Sequence, residues 1–224
     1  MVKCVLNQIT KDISRLIRYL QCILANISKT SISKSAKIGD NVKISDFVTI
    51  GNNVTIGKGT IIESGARIYD GCIVGNDSII GPNSILRPNT IVGNNTIFGS
   101  CSVSEGDNQI GNETTIHAQC HITSGVKIGS HCFIAPFFIA SNTPKISDGT
   151  HGTKKSSRGE QLNTIIEDYV RIGICVSMTP GHTIGHHAEI HQNCLITKDI
   201  PAYSIIRSGK DKVGRAIGKN SSNL

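Results

Sequence analysis

From Ile38 to Ala140 the chain keeps a six-residue beat, and sixteen of the eighteen positions on it are large and apolar; the exceptions are Ser104 and Ala140. A period of six is neither the 3.6 of a helix nor the 2 of a half-buried strand. It predicts a parallel β-helix, in which each hexapeptide makes one short strand and one turn. Three hexads close a triangular coil of roughly 18 residues, and successive coils stack at about 4.8 Å, the strand spacing. The beat residues then point inward. The fifth slot of each hexad is small or β-branched (Val42, Val48, Val54, Thr60, Ala66, Cys72), a size that suits a prism corner. Gly, Asn and Asp fill the slots between, where a tight turn needs positive φ.

The ends and interruptions divide the chain. Residues 1–30 repeat apolar side chains at three- and four-residue steps (Ile9, Ile13, Leu16, Ile17, Leu20, Ile23, Leu24, Ile27), the pattern of an amphipathic helix. Lys11, Asp12, Arg15 and Arg18 interrupt it, which argues against a transmembrane span. It serves as a cap or subunit contact, or lies on an anionic membrane surface as a peripheral contact. Residues 31–201 form the β-helix, entered through a Ser/Lys lead-in over 31–37. The hexad Ser104–Gln109 reads SEGDNQ and lacks the inward aliphatic, so a surface excursion that keeps the frame is expected there. At 142–164 the beat fails altogether in a polar, Gly- and Ser-rich stretch, and a long loop inside a compact array is commonly functional. The beat resumes at Ile166, and Pro201 is expected to close the last coil. The tail, 202–224, is basic.

A net charge of +7 points to an anionic ligand, but no basic patch is interleaved with aromatics, which argues against nucleic acid. Eight cysteines are present without any CxxC pair. Cys72, Cys120, Cys132 and Cys194 fall in the fifth slot as small hydrophobes. Reduced cysteines and the lack of a secretory signal predict a cytoplasmic protein, with peripheral placement at the inner face of a membrane as the variant. Four histidines, His182, His186, His187 and His191, cluster late in the chain. His182 falls in an inward fifth slot and the others in turn or second slots. Such positions do not converge as a structural zinc site requires, so no metal is expected.

The hexads, the segment IIEDYVRIGICVSMTPGHTIG and the ending LITKDIPAYSII resemble the left-handed β-helix acyltransferases of the hexapeptide-repeat superfamily. The order of His151-Gly152, Arg158-Gly159-Glu160-Gln161 and IIEDYVRIG is most similar to the maltose, galactoside and polysaccharide O-acetyltransferases. The resemblance implies an all-β fold, a left-handed parallel β-helix of hexapeptide repeats with an N-terminal amphipathic helix and one long extruded loop. The left hand opposes the general rule for parallel crossovers. It also implies a homotrimer, acetyl-CoA as co-substrate, and a sugar or glycan acceptor belonging to a surface polysaccharide, a nucleotide-sugar or a lipid-linked saccharide. His151 corresponds to the catalytic histidine. Arg171 stands where the family carries Trp, and Gly209-Lys210-Asp211-Lys212 replaces the usual ending.

Acetyl transfer to a hydroxyl needs a base at the acceptor oxygen and donors for the developing oxyanion. Neutral imidazole suits the base. His151, in the polar loop, is the first candidate and His121, on a coil in IHAQCHITSG, the second. By the same resemblance Gly173, Ser177, Thr197 and Lys198 lie on the cofactor side, and Arg207 and Lys212 are candidates for the phosphates of coenzyme A. The alternatives are N-acetylation of a nucleotide-linked amino sugar, a zinc lyase of the γ-carbonic anhydrase type, and a non-catalytic scaffold.

Overall fold

The computed structural model describes residues 30–144, 162–208 and 213–214, with Ile13 and Ile17 alone from the first 29 residues. Those two are helical and about half exposed; the rest of the expected helix lies outside the described residues. The remainder is a left-handed parallel β-helix. Two-residue strands alternate with turns and fall into three sheets, which begin at Ser31–Ile32, Lys37–Ile38 and Lys43–Ile44 and hold nine, eight and ten described strands. Each strand pairs with the one a full coil later, Lys37 with Thr55 and Ile38 with Ile56 in the second sheet, for example. The first coil therefore begins at Ser31, one hexad before the apolar beat becomes regular.

Inward aliphatics build the core. Ile56, Ile62, Ile80, Leu86, Ile116 and Ile134 are at most 1% exposed, and the two buried phenylalanines, Phe98 and Phe138, are fully covered. The fifth slot does more than fit a corner. Along one prism edge Thr60, Ser78, Thr96 and Thr114 form a hydroxyl ladder: Ser78 N donates to Thr60 Oγ1 at 3.2 Å, Thr96 N to Ser78 Oγ at 3.0 Å and Thr114 N to Thr96 Oγ1 at 3.2 Å. On the outside of the same edge, carboxamides repeat the device. Asn76 N donates to Asn94 Oδ1 at 2.7 Å and Asn94 N to Asn112 Oδ1 at 2.8 Å. Turn N–H groups that no strand can satisfy thus find partners one coil away.

Between residues 41 and 193 the described turns place a left-handed residue three after the inward position. Asn and Gly are the commonest there, as at Asn83 (φ 55°), Asn95 (φ 51°) and Gly59 (φ 70°). Corners this short are not the long crossovers behind the right-handed rule, so the opposite hand meets no packing conflict. Bulky residues at such turns are less expected. His131, Tyr169, His187 and Tyr203 take the conformation with φ of 58–62°, and their rings stack in one column at centroid spacings of 4.6, 4.6 and 4.8 Å. Stacking offsets the backbone cost and ties the coils on either side of the loop together.

Three expectations are corrected. The hexad Ser104–Gln109 makes no surface excursion: Val103–Ser104 pairs in register with its neighbours, and Ser104 and Asn108 are fully buried. The coils do not end at Pro201, because Ile205–Ile206 continues the third sheet in parallel. Nor does the hexad that Ile196 opens run its full length: the frame holds to Ile196, which pairs with Met178, but a bridge then joins Ile184 to Ile200, so the last coil has a spacing of 16 residues in place of 18. The expected loop does leave where the beat fails. Pairing resumes at a spacing of 38 residues, an insertion of about one extra coil's length.

Candidate functional site

His121 opens the strand His121–Ile122 of the first sheet and points outward. Its Nε2 lies 2.9 Å from Glu105 Oε1, and both side chains are partly exposed, 43% and 35%. With the Nε2–H donated to the carboxylate, Nδ1 is left as the free lone pair. Glu105 comes from the very hexad that lacks an inward aliphatic. Two residues on, Asp107 accepts from Asn89 Nδ2 at 3.0 Å and from Ser124 Oγ at 3.5 Å.

The long loop is rooted directly beside this pair. Asn142 Nδ2 donates to the Ser124 carbonyl at 2.7 Å, and Thr123 Oγ1 to the Ala140 carbonyl at 2.7 Å. Its returning end is held by Leu162 N to the Asn142 carbonyl at 3.1 Å and Thr164 Oγ1 to the Ser141 carbonyl at 2.9 Å. Residues 145–161 lie outside the described residues, and His151 with them.

A second feature lies on the third sheet, a groove of about 320 Å³ lined by Phe133, Arg171, Gly173, Glu189, His191 and Gln192. Glu189 bridges its two basic neighbours, with Oε2 2.6 Å from Arg171 Nη2 and Oε1 3.0 Å from His191 Nε2. Gly173 has a packing reason to be glycine: a Cβ there would stand 2.6 Å from the backbone nitrogen of Gln192. Arg207, exposed, follows Ile206, whose carbonyl accepts from His191 N at 2.8 Å. Gly173 and Arg207 thus share one corner, with His191 between them.

The other expected cofactor residues are elsewhere. Ser177 pairs with Leu195 on the first sheet, and Thr197 and Lys198 are exposed at the corner beyond it. Lys212 lies outside the described residues. The structure thus divides the set between a corner and a neighbouring face. Reading by slots missed Glu105, Glu189 and Phe133, which lines the groove. The only sequence signal for Glu189 is that it stands one coil after Arg171.

The late histidines go to different uses. His182 is not fully inward; it is half-buried, with Nδ1 3.4 Å from Asp199 Oδ1. His186 and His187 share a hydrogen bond between their Nδ1 atoms at 3.2 Å, and His186 packs edge-on against the ring column. Among the described residues no three His, Cys, Asp or Glu side chains gather around one point.

The buried cysteines are poor nucleophiles. Burial pushes the Cys72 and Cys132 thiols up to about 11 and raises those of Cys120 and Cys194, so little thiolate forms near neutrality. Alkylation with iodoacetamide at pH 8, mapped by mass spectrometry, is expected to label exposed Cys101 and Cys175 and to spare Cys72, Cys120 and Cys132 until the chain is unfolded. The same shift makes the fold sensitive to alkali. Above the ordinary thiol value of 9.0 the unfolded chain loses protons that the folded one keeps, so stability is full below about pH 9 and falls from there towards 11.

The model of the bacterial transferase hexapeptide family (six repeats) matches residues 35–70, 71–103 and 109–137. It omits 104–108, the stretch that supplies Glu105. The bifunctional protein GlmU of Geotalea uraniireducens (strain Rf4) is 34% identical over 92 residues, 41% of this chain and 19% of that protein. Chloramphenicol acetyltransferase of Klebsiella aerogenes is 35% identical over 71 residues, 32% of this chain and 31% of its own length. The chain thus spans less than a third of either curated relative. The solved UDP-N-acetylglucosamine acyltransferase of Francisella novicida has a TM-score of 0.64 at 23% identity, over 79% of this chain and 64% of that one, a likeness of fold.

Proposed function

We propose that this chain, by its repeats a member of the bacterial hexapeptide transferase family, transfers an acetyl group from acetyl-CoA to a sugar hydroxyl. The observation that carries the reading is the carboxylate-oriented imidazole of His121, 2.9 Å from Glu105, exposed beside the root of the one long loop. The local likeness to an acetyltransferase supports the donor.

In this reading His121 Nδ1 takes the proton of the acceptor hydroxyl as its oxygen attacks the thioester carbonyl. The tetrahedral intermediate collapses with loss of the coenzyme A thiolate, which recovers the proton from the imidazolium. Glu105 stabilises that imidazolium while it lasts. The groove at Gly173, with Arg171 beside it and Arg207 above, suits an extended donor with anionic phosphates. The acceptor belongs to a surface polysaccharide, a nucleotide-sugar or a lipid-linked saccharide. The protein works as a cytoplasmic homotrimer, and a neighbouring copy covers outward aliphatics such as Ile73, Ile91 and Ile97, each 38–43% exposed in the single chain. His151 is the competing base, carried on the loop rooted beside His121. An amine acceptor is the second reading, favoured by the carboxylate of Glu105 beside the imidazole.

Thiol release from acetyl-CoA, assayed against free sugars, amino sugars and their nucleotide conjugates, tests the reading. The expected result is turnover on a hydroxyl acceptor that weakens in Arg207→Ala through a higher KM for acetyl-CoA. Turnover on amines alone promotes the second reading. No turnover together with no coenzyme A binding by calorimetry overturns both and leaves a scaffold.

A further inference from the structure

The hexad Ser104–Gln109 breaks the apolar beat in the interior, where an aliphatic would continue the core. Instead, three polar side chains meet there, all with 0% exposure: Thr90, Ser104 and Asn108. Thr90 Oγ1 and Ser104 Oγ lie 2.8 Å apart, and Asn108 Nδ2 donates to Ser104 Oγ at 2.8 Å. The same Nδ2 donates to the Ile122 carbonyl at 3.3 Å, and Asn108 Oδ1 accepts from Val126 N at 2.8 Å. Among the described residues no buried side-chain polar atom is left without a partner.

The bonds of this network converge on two strands. Ser104 immediately precedes Glu105, and Ile122 immediately follows His121. The Ile122 carbonyl accepts from both Glu105 N, at 2.8 Å, and the Asn108 amide. One buried carboxamide therefore holds the Ile122 backbone, next to His121, and the Ser104 side chain, next to Glu105. Filling this interior requires no polar group, since aliphatics fill the equivalent inward position in the adjoining coils, as Ile68, Leu86 and Ile122 show. Buried polar networks that are fully satisfied rigidify what they touch.

We infer that Asn108, with Ser104, is a positioning residue: it holds Glu105 and His121 at the distance that orients the imidazole, and it acts through that one contact. This rests on the proposed role of His121, so the test separates the two. A crystal structure of Asn108→Leu reads the geometry without any substrate. The expected result is that the fold is kept while the Glu105–His121 separation opens beyond hydrogen-bond distance or splits into several conformers. Kinetics read the consequence. Asn108→Leu is expected to lower kcat about tenfold with KM for acetyl-CoA within about twofold, and adding it to Glu105→Gln is expected to lower kcat no further, because both act on one contact. Ser104→Ala, which removes a single hydroxyl, is the milder variant should Asn108→Leu fail to fold, and is expected to show the same split at smaller size. An unchanged 2.9 Å contact in the variant structure, or losses that multiply in the double variant, overturns the positioning role. An opened contact with unchanged kcat keeps the positioning and overturns His121 as the base.

Discussion

His121→Ala is expected to lose about 10²–10⁴-fold in kcat, the range that a positioned general base contributes, with little change in the KM for acetyl-CoA. The imidazole is half-exposed on the first sheet, and its only described polar partner is Glu105. Its removal leaves no buried group unsatisfied, so the variant is expected to unfold at the same temperature as the parent. That separation of activity from stability is the measurement: thiol release beside a thermal melt. Glu105→Gln keeps an acceptor oxygen but loses the charge, and about a tenfold loss is expected. His151→Ala is the decisive companion. A large loss there with none at His121 transfers the base to the loop.

The largest effect on stability is expected at the inward beat. Ile116 is fully buried and stacks between Phe98 and Ile134 of the coils on either side. Truncation to alanine removes buried methylenes and leaves a cavity that two rigid neighbours cannot close, which costs about 2–5 kcal/mol. Ile97→Ala, in the adjoining coil but facing outward at 38% exposure, makes the contrast. In an isolated chain it is expected to cost within about 0.5 kcal/mol, whereas dissociation of the assembly at dilution marks Ile97 as a subunit contact. Urea titration of both variants, with sedimentation for the second, gives the two answers.

How much of this could be read beforehand depends on the distance over which each feature is encoded. The beat is local, and Ile50, Ile62 and Ile134 are inward as expected. The turns are local too, and Asn83 and Asn95 take the left-handed conformation that their type favours. The fifth slot was legible in size but not in purpose: Thr60, Ser78 and Thr96 bond one another only after the coil closes. The same cause hid the polar interior. Ser104 reads as a defect, and only Thr90 and Asn108, brought in from other positions around the coil, turn it into a satisfied network. Glu105 and His121 stand 16 residues apart, a separation that means nothing without the coil. The loop root could be read from its composition, but the pair that it is rooted beside could not.

The shortened final coil has a consequence for growth. A stack of identical coils is a template: its last rung offers three open strand edges to any further copy. Here the rung is two residues out of step, and the chain then turns back, with Val213–Gly214 lying antiparallel against Ile205–Ile206. An incoming coil of regular length meets a mismatched pattern of donors and acceptors on the second sheet and an occupied edge on the third. The prism therefore ends in a stop rather than a seed, and end-to-end filaments are disfavoured by the register itself.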